Sequence, residues 1–427
     1  MLDGVRRGVR LLRSNERLMM IMVSTVLVMS GQGVISPVLP LFAKSFGVGA
    51  TAVGLTLSIF ALARLLLNVP LGVVSDRRGR RPLLVAGPLV VGIGMIGSGF
   101  SADIPQLLVW RFVAGAGSAM YMTGAQIYLV DISNVENRAR IIGTNQGALL
   151  LGVSIGPGIG GLLADLFGYQ LPFFAVGGAA GFAAIYAHLR LPETRPTPDE
   201  RDRSAADAHP QSPGSAGERR PWLAMMTSRD FLAVSCVTAS IFLTRAGGRM
   251  TLMPLLAAAS FGYSAGALGA VFTGMALINL AGLAPASLVA DRFGRKWAIV
   301  PSGVVIGLGF VLMAATSSHL LFLVSALLVA VGTSIIGPAP AAYAADIASP
   351  AFRGLAMGLY RSAGDVGFLL GPALLGAVAD ASSIQWALGA NALIVLAATA
   401  FFALGARESI TAARLAREEA GAAAEEG

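Results

Sequence analysis

Thiols are almost missing from this chain. Cys236 is its one cysteine in 427 residues, so neither a disulfide framework nor a thiolate metal site can be built. Histidine is nearly as scarce: His188, His209 and His319 fall at a span end, in a polar stretch and in a short turn, without metal-ligand spacing. Charge is short as well, at 13% of residues against about 25% for a soluble domain. No glycine-rich phosphate loop, nucleophile–base dyad or triad occurs. These absences argue against an enzyme and a nucleotide-driven pump, and leave no cofactor or metal to expect.

Apolar length is what the chain has instead, with 55% of its residues hydrophobic. A hydrocarbon core of ~30 Å takes about 20 apolar residues per helix. The sequence predicts twelve such spans, near 18–42, 51–74, 82–100, 106–130, 141–164, 172–190, 230–256, 264–290, 298–316, 319–345, 354–379 and 384–404. The first is too long for a signal-peptide core and has no small-residue cleavage site behind it, so it is expected to remain. Glycine, at 53 residues, exceeds the ~7% average and suits helices that pack closely in lipid. The expected organisation is a segment 1–17, a six-helix bundle 18–190, a linker 191–229, a second bundle 230–404 and a charged tail 405–427. Residues 193–221 have almost no apolar content and read as disordered.

The formal charge of +8 is placed, not spread. Of 31 Lys and Arg, 25 fall on one side of the twelve spans, one (Lys44) on the other and five inside. That bias puts both termini in the cytoplasm and the protein across the cell membrane in many passes. The basic segments then anchor to anionic lipid and are no nucleic-acid footprint.

Between the second and third spans stands Gly72-Val-Val-Ser-Asp76-Arg77-Arg78-Gly79-Arg80-Arg81, and 215 residues later Ser287-Leu-Val-Ala-Asp291-Arg292-Phe-Gly294-Arg295-Lys296. Glycine at 79 supplies the φ > 0 turn. The string resembles the signature loop of the major facilitator superfamily (MFS), G-x-x-x-D-[RK]-x-G-[RK]-[RK]; the second copy has Ser287 for the leading glycine. Three further strings are similar to motifs of its twelve-helix drug:proton antiporter group. They are Gly31-Gln32-Gly33 with Pro37-x-x-Pro40 and Gly47, Arg111 with Gly115 and Gly117, and Gly152-x-x-x-Gly156-Pro157-x-Ile-Gly160-Gly161. Ala114 departs from the group, where glutamine is common.

The resemblance covers about 18–404. It implies an all-α polytopic membrane protein of two pseudo-symmetric six-helix halves, with a substrate site between them near the midplane and alternating access. It also implies that Asp76 in the signature loop braces the start of helix 11 in one conformation, as a latch. The glycine motif of span 5 implies efflux. Read from residues alone, the prolines and glycines also serve packing, and Arg111 also serves as a snorkelling structural arginine.

The second half repeats the first. Asp131, Arg138, Gly143, Gly152, Gly156-Pro157, Gly161 and Asp165 map at +215 onto Asp346, Arg353, Gly358, Gly367, Gly371-Pro372, Gly376 and Asp380. Departures mark candidate substrate chemistry: Arg245 and Arg361 face Ser30 and Gln146 in the alignment. The candidate cavity set is Gln32, Arg64, Met122, Gln126, Arg245, Arg249 and Arg361. Asp365, the one carboxylate well inside a span, is with Arg111 the candidate for proton coupling; the alternative is a permanent counter-ion to an arginine. Five intramembrane arginines against one acid also admit a carrier of an anionic organic solute. A non-transporting membrane sensor is the reading from another class; the latch loop and the lack of a structured soluble domain disfavour it. The expected protein is a monomeric, proton-coupled exporter of a small organic compound, its partners being substrate, protons and the bilayer.

Overall fold

The computed structural model describes residues 16–133, 137–194, 225–348 and 353–408; most of the expected linker and the tail beyond 408 lie outside them. The chain forms two compact units, 1–36 with 59–219 and 37–58 with 220–427. In the first unit are α1 (Glu16–Ile35), most of α3 (Ala50–Arg78), α4 (Arg81–Gly99), α5 (Ile104–Asp131), α6 (Arg138–Phe167) and α7 (Gln170–Arg190). The second unit takes α2 (Val38–Lys44), the first turns of α3, α8 (Arg229–Leu243), a π-helical segment (Thr244–Leu252) and α9 (Met253–Phe261). It continues with α10 (Ala265–Phe293), α11 (Arg295–Ala314), α12 (His319–Ile336), α13 (Ala339–Ile347), α14 (Arg353–Ala381) and α15 (Ile384–Gly405).

Eleven helices of the described residues are long and apolar enough to cross a membrane. They carry Leu66, Val69, Ile185, Leu308 and Leu393, all exposed. A soluble protein rarely exposes so many large apolar side chains, whereas lipid requires them. Helices alone satisfy their backbone groups there without water.

Two expected spans are broken. The first ends at Ile35 and restarts at Val38, because Pro37 brings no N–H to continue the ladder. Ser36 closes the gap, its N–H and hydroxyl both donating to Gly33 O at 3.1 and 2.8 Å. The tenth breaks in the same way at Gly337-Pro338, between α12 and α13. The seventh instead runs unbroken to Phe261, past its expected end at 256, through the π segment. The two units thus loosen equivalent helices differently, by proline in one and by a widened turn in the other.

Close packing follows the glycines. A Cβ on Gly156 would stand 2.6 Å from Gly33 Cα, and one on Gly152 would stand 2.9 Å from Val26 O, so α6 and α1 touch backbone to backbone. The equivalent Gly371 would meet Leu243 O at 2.6 Å, and Gly367 abuts Ala239 O, repeating the contact between α14 and α8. The first unit's core adds a buried polar knot in which Thr25 Oγ1 lies 2.8 Å from the Tyr121 hydroxyl and 2.9 Å from Asn145 Oδ1. The hydroxyls of Thr25 and Tyr121 thereby keep a partner away from water.

Candidate functional site

Gly79 and Gly294 adopt φ of 97° and 111°, so both basic loops turn where only glycine turns without strain. Past the turn, the two units make the same contacts. Arg80 is buried and its Nε donates to Asp131 Oδ2 at 2.8 Å. The next helix, α4, then begins with unsatisfied N–H groups, and Glu193 accepts two of them, from Arg80 N at 2.9 Å and Arg81 N at 3.1 Å. In the second unit Arg295 Nε donates to Asp346 Oδ2 at 3.3 Å. Glu408 there accepts from Arg295 N and Lys296 N at 2.9 and 3.1 Å. Three helix ends are tied together within each unit, and a carboxylate at a helix N-terminus is favoured by the macrodipole as well.

The expected latch residues separate within this geometry. Arg80 and Arg295 are its centre, while Asp76 is exposed and 3.6 Å from Arg80 Nη1. Gly72 is half-buried, Arg77 is exposed, and Arg292 lies 5.8 Å from the Phe293 ring. The side chain of Asp291 is outside the described residues. Glu193 and Glu408 escaped sequence reading, although each lies just past the last helix of its half and their spacing is the same 215 as the loops.

At the opposite helix ends the repeat breaks. Asp103 and Ser318 cap α5 and α12 at equivalent positions, accepting from Gln106 N and Leu321 N. Ser264 caps its own helix α10 by accepting from Ala267 N, but its counterpart is Gly49, which has no side chain to cap α3. Asp380, at the end of α14, supplies the missing cap. Its carboxylate accepts from Ala50 N at 2.6 Å, Thr51 N at 2.9 Å and Thr51 Oγ1 at 2.6 Å. A Cβ on Gly49 would come within 2.5 Å of that carboxylate, so the glycine makes room for it.

The remaining candidates divide between the two units and differ in burial. In the first, Arg111 is 4% exposed, with its guanidinium 4.6 Å from the Phe60 ring centre and Nη1 4.0 Å from Met95 Sδ. Phe60 and Met95 also line a small recess with Gln32 and Ser118. Arg64 is half-buried on α3, Gln126 is exposed, and Met122 packs against the core cluster of the unit. In the second unit Arg245 is exposed and Arg249 half-buried on the π segment, the latter 5.7 Å from the Phe272 ring. Arg361 is exposed and Asp365 half-buried, one turn apart on α14. Of the glycine motif, Gly152, Gly156 and Gly160 meet α1 backbone, Gly160 at Val34 O. Pro157 lies inside α6 and Gly161 is buried.

Two all-helical units of membrane-length helices, each closed by the same ion pair and helix cap, define a multi-pass membrane protein built by internal repetition. The model described as Major Facilitator Superfamily matches residues 21–245 and 238–426, and the chain belongs to that superfamily. It is 27% identical over 86% of its length to an uncharacterized MFS-type transporter of Methanocaldococcus jannaschii, covering 92% of that protein. It is 25% identical to multidrug resistance protein 1 of Bacillus subtilis, over 86% of this chain and 91% of that one. Among solved structures it resembles a bacterial homologue of the human lysosomal transporter Spinster, determined inward-facing and unoccupied, with a TM-score of 0.76 and 16% identity over 91% and 96% of the two chains. The protein is therefore a membrane-embedded member of a transporter family whose substrates are small molecules.

Proposed function

We propose that the protein exports a small organic compound across the cell membrane by alternating access, in exchange for protons. The resemblance to a multidrug resistance protein over most of both chains supports export. The observation that carries proton coupling is Asp365. It is half-buried at mid-helix in α14, with charged Arg361 one turn before it. A coupled carrier needs a group that changes charge during its cycle, and an acid within a span is a functional candidate by its placement alone. Arg111, buried against Phe60 and Met95, is the fixed charge of the other unit. In this reading both termini are cytoplasmic, and the exposed Asp76 exchanges partners as the carrier changes state.

The test uses everted vesicles holding an imposed pH gradient, with a panel of cationic, neutral and anionic aromatic compounds. Wild-type protein is expected to release protons on addition of at least one of them, and Asp365→Asn to abolish that release while keeping binding and passive exchange. Release at the wild-type rate in Asp365→Asn would remove the proton role. Loss of folding and binding together would make Asp365 a counter-ion to an arginine, since removing one partner of an ion pair leaves the other uncompensated.

A further inference from the structure

One recess lies wholly inside the first unit, between α1, α3, α4, α5 and α7. Its walls are mostly apolar, with Phe60, Val91, Met95 and Val176 among them, and two residues bring polar side chains, Gln32 and Ser118. Ser118 is 2% exposed, and its hydroxyl finds no hydrogen-bond partner among the described residues. Serines on the neighbouring α4 turn back onto their own helix. Ser98 Oγ donates to Gly94 O at 2.7 Å, and Ser101 Oγ to Gly97 O at 3.1 Å. Ser118 makes no such bond, and its side chain lines the recess instead. A buried polar group without a partner bears the full cost of its desolvation, so its persistence calls for a cause.

The repeat supplies a control. At the equivalent place of the second unit Ser118 becomes Thr333, whose Oγ1 has acceptors in Asn279 Oδ1 at 3.1 Å and Val329 O at 2.8 Å. Three further wall residues, Gly31, Val91 and Met95, become the larger Ala246, Ile306 and Phe310, and Gln32 becomes Gly247. The second unit thus satisfies its hydroxyl from its own chain and drops the amide. The first keeps both polar groups around one recess. Size then decides what fits. A water needs about 10–15 Å³ and two to four polar partners, and the cavity measures about 10 Å³. We propose that this recess binds one water molecule, shared by the Ser118 hydroxyl and the Gln32 side-chain amide. Each of these groups can donate to the water or accept from it. Phe60 and Met95, in the same wall, also flank the guanidinium of buried Arg111. The water therefore stands one side chain away from a charge held inside the bundle, whatever the protein carries.

The test makes the bound water report on itself. Full-length protein in maltoside detergent is exposed to brief X-ray pulses, which split water into hydroxyl radicals that react close to where they form. Met95 is the reporter, since it is buried in the recess wall and its thioether is readily oxidised to the sulfoxide. Mass spectrometry is expected to find Met95 oxidised several-fold faster than Met253 and Met313, which are also buried but belong to the second unit. Hydrogen peroxide added to unirradiated protein arrives from bulk solvent, and should oxidise the exposed Met19 while sparing Met95. Ser118→Ala and Gln32→Leu each remove one partner of the water and should bring Met95 down towards the rate of the two controls. Ser118→Ala should also lower the melting temperature by about 1–2 °C. The wild-type comparison is complete without the variants, so misfolding of one of them leaves the test standing. Equally slow oxidation of all three buried methionines would overturn the site. So would peroxide that reaches Met95 as fast as Met19, because the recess would then be open to bulk solvent. Undiminished labelling of Met95 in both variants, or a Ser118→Ala protein that melts higher, would overturn it as well; the second result marks an unpaired hydroxyl in a dry cavity.

Discussion

Arg80 and Arg295 make the same contacts at equivalent positions, but not with equal strength. The Arg80–Asp131 pair is 2.8 Å long with side chains 8% and 16% exposed; Arg295–Asp346 is 3.3 Å long with 16% and 34%. Removing one partner of a well-buried pair leaves an uncompensated charge, worth about 3 kcal/mol, while exposed pairs contribute about 1 kcal/mol or less. Asp131→Asn should therefore lower the melting temperature in detergent by clearly more than Asp346→Asn, and equal losses would contradict this ranking. Asp380 makes a different kind of contact, since it satisfies N–H groups at the start of a helix. Asp380→Ala should lose about 1 kcal/mol of capping. Peptides covering Ala50 and Thr51 should then exchange amide hydrogens about fivefold faster, as read by mass spectrometry.

At the scale of elements, glycine decides where helices meet. Gly156 has α1 backbone 2.5 Å from where its Cβ would be, while Gly147, earlier on the same α6, has nothing within 4 Å. Gly156→Ala should cost about 1–3 kcal/mol through overpacking. Gly147→Ala should be neutral or stabilising by up to about 1 kcal/mol. A thermal-melt comparison of the two variants separates packing from propensity, and equal effects would contradict the contact. This distinction was only half legible in sequence. The Gly152-x-x-x-Gly156 spacing marked the face, since small residues four apart must share one, and the Pro37 and Pro40 string marked a weak point. Neither could show that the tenth span breaks at Gly337-Pro338, or that the seventh widens into a π segment, because hydropathy reports burial in lipid and not the register of the backbone ladder. Glu193 was illegible for another reason. A carboxylate just past the last apolar run of a half looks like any solvated charge until the fold brings a helix N-terminus to it.

For the whole molecule, topology is the most direct expectation. Replacing Cys236 by serine leaves a cysteine-free background in which single cysteines report their side of the membrane. Cysteines placed at Ser45 and Gln170, both exposed, should react with an impermeant maleimide from outside whole cells, and those at Ala205 and Gly427 only after permeabilisation. Labelling of 205 and 427 from opposite sides would mean that the twelve-span reading miscounts by one. The order of spans and the 215-residue repeat needed only composition and pattern, because a bilayer imposes a minimum apolar length on every helix that crosses it. Which arginine meets which carboxylate needed the coordinates.

The cap that Asp380 gives to α3 also sets a timetable for making the protein. Ala50 and its partner are 330 residues apart in the chain. At about 5–20 residues per second, translation needs roughly 15–65 s to produce the second after the first. Throughout that interval Gly49 offers nothing in place of the missing side chain, whereas α10 carries its own cap in Ser264 as soon as it is made. The opening turn of α3 is thus completed among the last events of synthesis, and a ribosome stalled before residue 380 leaves behind a chain whose first half is inserted but whose α3 has a loose beginning. Proteolysis of truncated chains should find that beginning first.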